Sequence, residues 1–178
     1  MVALYLGLLV LLAIERVIEL AISRRNAAWS LEQGGIEYGS EHFIYMKLLH
    51  TGFFVACALE VVVLERPFIP ILGIPMLGVA LVAQAIRYWV ILTLGKRWNV
   101  RVIVVPGLPA ISSGPYRYMK HPNYLAVVLE GFSIPLIHTA WMTAVAFTFL
   151  NAWMLSVRLR CENEALARHC QPLSQSLG

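Results

Sequence analysis

"YLAVVLEGFSIPLIHTAWMTAVAFTFLNAWMLSV", residues 124–157, is apolar along nearly its whole length, and the way it divides decides the fold. As one helix its 34 residues would be about 51 Å long at 1.5 Å per residue, against a hydrocarbon core of about 30 Å. One straight crossing is therefore excluded. In its middle "IPLIHTAW", with Pro135, His138 and Thr139, supplies a break, because proline removes a backbone donor and clashes with the preceding turn. Two short spans, 124–137 and 140–157, joined by a tight hairpin are expected. Working outward, the segments 2–22, 43–64 and 71–94 each reach the roughly 20 apolar residues that a crossing needs. The fold class is all-α: a bundle of five transmembrane helices in one domain, since no Ser/Gly/Pro-rich linker divides the chain.

Composition agrees. Of the 178 residues 59% are hydrophobic and 13% charged, and the mean hydropathy is +0.70, where soluble domains carry about 25% charge. The net charge of +4 is gathered in particular loops, not in a basic stripe interleaved with aromatics, which speaks against a nucleic-acid partner. Cys57, Cys161 and Cys170 form no CxxC pair, so neither a disulfide framework nor a metal site is expected. The first apolar run lacks a basic n-region and a small-residue cleavage site, and reads as a retained span. Lys and Arg concentrate in the loop 23–42, in the loop 95–123 and after residue 157. By the positive-inside rule these face the cytoplasm and the N-terminus lies outside.

Several polar groups need an explanation in so apolar a chain. Glu15, Arg16, Glu19, Glu60 and Arg87 fall within spans, where each costs a few kcal/mol if it faces lipid. Glu15 and Glu19 share a helix face, and Arg87 is their expected partner. His50 and Cys57, deep in the second span, read as packed residues. Trp89, Trp98, Trp141 and Trp153 read as interfacial anchors near span ends. The glycines of "GGIEYGSEHF", residues 34–43, permit a turn that would bring Glu37 or His42 to a substrate entrance.

The loop "KRWNVRVIVVPGLPAISSGPYRYMKHPNY" exceeds the length at which unstructured loops are usually functional. "NVRVIVV" has the β-branched character of a short extended piece, and "PGLP" and "SGP" mark turns. Pro122 suits the first turn of the next helix, which puts His121 and Tyr124 together at its mouth. On the last helix Arg158 and Glu162 are one turn apart, so both can face one pocket while Arg160 points elsewhere. A cation and an anion on one face beside the bilayer suit a zwitterionic ligand, although the same spacing is common in plain surface pairs.

"GPYRYMKHPNY", followed some 30 residues later by "RLRCENEAL", resembles the isoprenylcysteine carboxyl methyltransferase family, and more broadly the membrane methyltransferases that include phosphatidylethanolamine methyltransferase. The resemblance covers residues 101–166. It implies transmembrane helices, S-adenosylmethionine enclosed by the cytoplasmic loop and the C-terminal helix, and a lipidic acceptor arriving from the bilayer. Carried over by motif position, the cofactor contacts are Arg101, Leu108, Pro109, Ala110, Ile111, Tyr116, His121, Pro122, Asn123, Tyr124 and Glu162, with Arg158 beside the methyl acceptor. The chain departs from the family pattern in having Glu162-Asn163 where many relatives have consecutive glutamates, and Leu108 where the prenylcysteine enzymes have a histidine. Both departures bear on the acceptor. The form of the motif is closer to the bacterial alkylpyrone or alkylresorcinol O-methylating branch.

The chemistry of these residue types agrees with the implied ligand. Glu162 can pair with the ammonium of S-adenosylmethionine, and Tyr116 and Tyr124 can lie against adenine or the sulfonium. A carboxylate or acidic enol acceptor arrives ionised and needs only Arg158 to orient it; a neutral amine or alcohol needs a base, for which His121 is the first candidate. Without a GxGxxG after a strand, a soluble Rossmann-type methyltransferase is excluded. Lipid amine N-methylation and an NADPH-dependent membrane sterol or steroid reductase remain as alternatives, the latter wanting more basic residues around its loop. A structural or transport role is disfavoured, since the spans carry no internal repeat.

Overall fold

The computed structural model describes residues 1–169, so Cys170 lies outside the described residues. Five helices follow one another: α1 (Val2–Glu32), α2 (His42–Val63), α3 (Pro70–Leu94), α4 (Pro122–Leu136) and α5 (Trp141–His169). Helices α2, α5 and the stretch Pro70–Arg97 are long and apolar enough to cross a membrane. Helix α1 is longer still at 31 residues, but Glu15, Arg16 and Glu19 interrupt its apolar length. Helix α4 has 15 residues, about 22 Å, and cannot cross a core of about 30 Å unaided. The protein is an all-α integral membrane bundle.

The long apolar run breaks where a proline, a histidine and a threonine were grouped, though not at the proline itself. Pro135 sits inside α4, and the chain reverses at Thr139, whose φ of 55° lies in the left-handed region. The Thr139 hydroxyl donates to the Pro67 carbonyl at 2.7 Å, and the Ala140 amide returns to the Pro135 carbonyl at 2.9 Å, while both ring nitrogens of the buried His138 have no hydrogen-bond partner. Glu60 then caps α5. Its carboxylate accepts from the Met142 amide at 3.1 Å and from the Thr143 amide and hydroxyl at 2.7 Å each, and Arg66 pairs with it at 3.0 Å. Helix N-termini leave such amides unpaired, and lipid offers them no partner. Glu60→Ala is therefore expected to lower stability by about 1–3 kcal/mol, measured as thermal unfolding in detergent.

Helix α1 runs ten residues past the expected span end at residue 22. Its extra turns are polar because they dock a loop rather than meet water. Ser23 accepts from the Val100 amide at 2.9 Å, Asn26 donates to the Trp98 carbonyl at 2.8 Å, and Asn99 donates to Ser30 at 3.3 Å. This docking buries Trp98, 2% exposed, which corrects its reading as an interfacial anchor; Trp89, Trp141 and Trp153 are exposed as anchors would be. The extended piece of the loop is a strand, β2 (Val102–Val104), paired antiparallel with β1 (Ile36–Tyr38) in the register Glu37↔Ile103. Glu37 thereby pairs with Arg101 at 3.1 Å.

Inside the bundle Arg87 binds Glu19 through two bonds of 2.6 and 2.5 Å. Arg16 donates to Glu19 at 2.7 Å, to Glu130 at 3.0 Å and to Gln84 at 3.1 Å. Glu15, expected as an Arg87 partner, is instead bonded by Gln84. Cys57 packs in the apolar core with Tyr5, Phe53 and Val61.

Candidate functional site

Two chain segments 38 residues apart close on each other. Pro122 occupies the first turn of α4, where its missing N–H leaves nothing unpaired, and this fixes His121 and Tyr124 at the helix mouth with their rings stacked at 5.5 Å. From α5, Glu162 reaches both: the Tyr124 hydroxyl donates to its carboxylate at 2.5 Å, and His121 Nδ1 lies 3.7 Å from the same oxygen. One turn earlier Arg158 donates to the Val100 carbonyl at 2.7 Å and directs its other terminal nitrogen at the Met46 sulfur, 2.9 Å away. Arg160 is exposed.

Tyr116 is delivered by a short 3-10 turn, Gly114–Arg117. Gly114 has φ +58° and lies so close to the Thr93 side chain that a Cβ there would collide with it; only glycine lets the turn sit on α3 in this way. Burial first, and the Glu162 charge second, push the Tyr116 phenol above its ordinary range, so it is a neutral hydroxyl at physiological pH.

These groups surround two adjoining cavities. A polar one of about 70 Å³ is walled by Arg101, Tyr116, His121, Asn123, Tyr124 and Glu162, among others. A larger one of about 410 Å³ runs between α1, α2, α4 and α5 among mainly apolar side chains. Trp98, Asn99, Asn123, Tyr124 and Arg158 line both. The side-chain carbonyl oxygens of Asn99 and Asn123 are buried there with no hydrogen-bond partner.

Not every residue expected here is brought in. Leu108, Pro109, Ala110 and Ile111 line neither cavity. Leu108 closes a turn onto the Val105 carbonyl at 3.3 Å, and the Pro109 carbonyl accepts from Arg97 at 2.8 Å. Pro122 is buried behind the wall. Glu37 and His42 also line neither cavity, Glu37 being paired with Arg101. Conversely, Asn99, Met46, His50 and Asn151 line the larger cavity without having been singled out for it. The spacing of Asn151 and Arg158, two helical turns on one face, was a usable signal.

The isoprenylcysteine carboxyl methyltransferase (ICMT) family model matches residues 76–168. The chain belongs to this family. It is a membrane methyltransferase accordingly. Among its relatives, the uncharacterized protein YpbQ of Bacillus subtilis (strain 168) is 40% identical, over 91% of this chain and 96% of that protein. An uncharacterized protein of Haemophilus influenzae is 27% identical, over 89% of this chain and 92% of its own length. No solved structure matches the chain. The part matched by the ICMT family model holds α4, α5 and the loop, hence the polar cavity; α1 and α2, which wall the larger cavity, lie outside it.

Proposed function

We propose that the protein transfers a methyl group from S-adenosylmethionine to an oxygen of a lipophilic acceptor, with the donor in the polar cavity and the acceptor in the larger one. The observation that carries this reading is the shared wall, where Arg158, Tyr124 and Asn123 touch both compartments. Groups bound on its two sides meet without leaving the protein.

The donor set fits a cationic, zwitterionic cofactor. Glu162 is a carboxylate for an ammonium; Tyr116 and Tyr124 offer aromatic faces to a sulfonium; the orphaned Asn99 and Asn123 oxygens accept hydrogen bonds. Arg101 is held by Glu37 and lies 5.0 Å over the Phe43 ring, and Arg158 is bonded to the Val100 carbonyl, which leaves Lys120 on this wall to meet the phosphates of a dinucleotide. Binding of S-adenosylhomocysteine in preference to NADPH separates the two chemistries. A cavity of about 70 Å³ is smaller than the roughly 300 Å³ at which ligand sites begin. Admitting the whole cofactor requires Glu162 to leave Tyr124 and the loop to part from α5.

When bound, the cofactor supplies an electrophilic methyl group on a charged sulfur. The chain's part is to align the two reactants and exclude water, which can remove several kcal/mol of barrier. Arg158 faces the acceptor side with a guanidinium nitrogen against a thioether, a weak acceptor, and an oxygen of the acceptor is its better partner. By the charge bias of the loops the polar cavity opens to the cytoplasm and the N-terminus lies outside.

The test is incubation of purified protein with labelled S-adenosylmethionine and, separately, prenylcysteine, alkylpyrone and alkylresorcinol acceptors. Arg158→Ala is expected to leave S-adenosylhomocysteine affinity within about twofold while lowering turnover roughly 100-fold, the loss of one charged hydrogen bond of about 3 kcal/mol. Equal turnover in the two proteins would remove Arg158 from the acceptor side.

A further inference from the structure

Helix α5 carries a polar side chain that the methyl donor does not explain. Asn151 lines the larger cavity, is 3% exposed, and its side-chain oxygen has no hydrogen-bond partner. An asparagine inside a membrane helix ordinarily bonds across to a neighbouring helix, because the bilayer core offers no water to a bare polar group. Here the neighbouring helices leave the Asn151 oxygen without that bond. A buried polar group on a cavity wall, unmatched by the chain itself, is matched by what fills the cavity.

Contacts fix its depth. Arg158 meets the Met46 sulfur at 2.9 Å near the start of α2, whereas Phe147 packs on Phe53 at 4.3 Å and on the His50 edge at 5.5 Å. From Arg158 back to Phe147, α5 therefore climbs from the level of Met46 to that of Phe53. Asn151 stands between them, two helical turns or about 10 Å from Arg158. Both side chains lean towards the helix N-terminus, which preserves that spacing. Phe54 and Val55, further along α2, carry the cavity wall on past this level with hydrocarbon.

The near end has a different chemistry. Lys47 and Arg158 line it, and among the described residues neither pairs with a carboxylate: Lys47 lies 4.7 Å over the Phe43 ring, and Arg158 is bonded to Val100 and Met46. Arg16 and Arg87, on the same cavity, are already held by Glu19. Unpaired cations at the mouth suit an oxygen head. The bare amide two turns further in suits a hydrogen-bond donor, and the wall beyond suits a hydrocarbon end.

We propose that Asn151 sets acceptor specificity: the acceptor carries a hydroxyl or an amide N–H partway along its lipophilic tail, about two helical turns from the methylated oxygen, and that group bonds to Asn151. The inference rests on the methyl-transfer reading above. A donor within a few bonds of the head, as on a resorcinol ring or an acylated cysteine, stops short of Asn151. A tail of plain hydrocarbon leaves the Asn151 oxygen bare.

The test uses the full chain in nanodiscs loaded with S-adenosylhomocysteine, and four tritiated probes. These are octadecanoic acid, its 2-hydroxy and 10-hydroxy derivatives, and 8-(octanoylamino)octanoic acid, which puts an amide N–H at mid-chain. Binding is measured against protein-free nanodiscs, so partition into lipid cancels. The mid-chain hydroxyl, the mid-chain amide or both are expected to bind about 5- to 10-fold more tightly than octadecanoic acid, and which of them does so names the group. The 2-hydroxy acid is expected to gain nothing. Asn151→Leu is expected to remove the mid-chain preference, with its S-adenosylhomocysteine affinity reporting that it has folded. No binding, equal affinity for all four probes in the wild type, or a preference that survives Asn151→Leu overturns the proposal. The wild-type comparison of the 2-hydroxy and 10-hydroxy acids decides alone if the variant does not fold. Failure of the wild type to bind S-adenosylhomocysteine at all would instead sink the methyl-transfer reading.

Discussion

Glu162→Ala is expected to weaken S-adenosylhomocysteine binding about 100-fold, read by calorimetry or by equilibrium dialysis of the labelled ligand. The carboxylate is the single anion on the wall of the polar cavity among the described residues, and a charged hydrogen bond between it and the ligand's ammonium is worth about 1.5–3 kcal/mol, or about 10- to 150-fold. The upper end applies because the wall of the polar cavity offers the ammonium no second carboxylate among the described residues. Glu162→Gln keeps the shape and an acceptor for Tyr124 but loses the charge, so it should fall between wild type and alanine. A glutamine as weak as alanine would make charge the whole effect. Neither variant should alter the melting temperature much, since Glu162 lies on the exposed end of α5, beyond the bundle core. Unchanged affinity in both would place the cofactor elsewhere.

How much of this was legible in the sequence depended on the range of the interaction involved. The hairpin at Thr139 was readable because helix length and bilayer thickness conflict over residues 124–157, and a conflict of that size has few solutions. Arg158, Glu162, His121 and Tyr124 were readable because each pair repeats at a helical turn. What failed were the inferences that treated a polar residue as a boundary. Ser23, Asn26 and Ser30 look like the end of a span, yet they are buried, because Ser23 and Asn26 bind the backbone of the loop at residues 95–100 and Ser30 binds the Asn99 side chain. That docking is a contact across some 70 residues, and no local pattern announces it. Trp98 was misjudged for the same reason. Leu108, Pro109, Ala110 and Ile111 came in by motif position alone, and the turn at Leu108 and the Arg97 bond at Pro109 draw the segment to the outside of the wall. Strand β1 was invisible: three residues with no alternation become a strand only once β2 lies beside them.

The largest effect on stability is expected from Arg87→Ala. Arg87 is 8% exposed and grips both oxygens of Glu19, while Glu130 lies 3.8 Å from its other terminal nitrogen. Glu15, Glu19 and Glu130 face Arg16 and Arg87 in this cluster, three carboxylates against two guanidinium groups. Alanine leaves three against one at a depth where water is scarce, and breaking a buried pair in this way costs about 3–5 kcal/mol. In a chain of this size each kcal/mol moves the melting temperature by about 2–4 °C, so a fall of roughly 6–20 °C is expected in detergent. Arg87→Lys should recover only part of it, because an ammonium cannot make the forked pair with Glu19. Pairing Arg87→Met with Glu19→Leu removes both charges of that bridge together and should cost less than the sum of the single changes, since neither partner is then left bare. The sequence led to Arg87 but not to Glu130, which stands in a run read as apolar. A buried carboxylate in such a run is itself a sign that a cation waits across the bundle. Should Arg87→Ala melt within about 2 °C of the wild type, water must reach the cluster from the larger cavity that Arg16 and Glu19 also line, and the network would then be part of the acceptor compartment rather than of the bundle's frame.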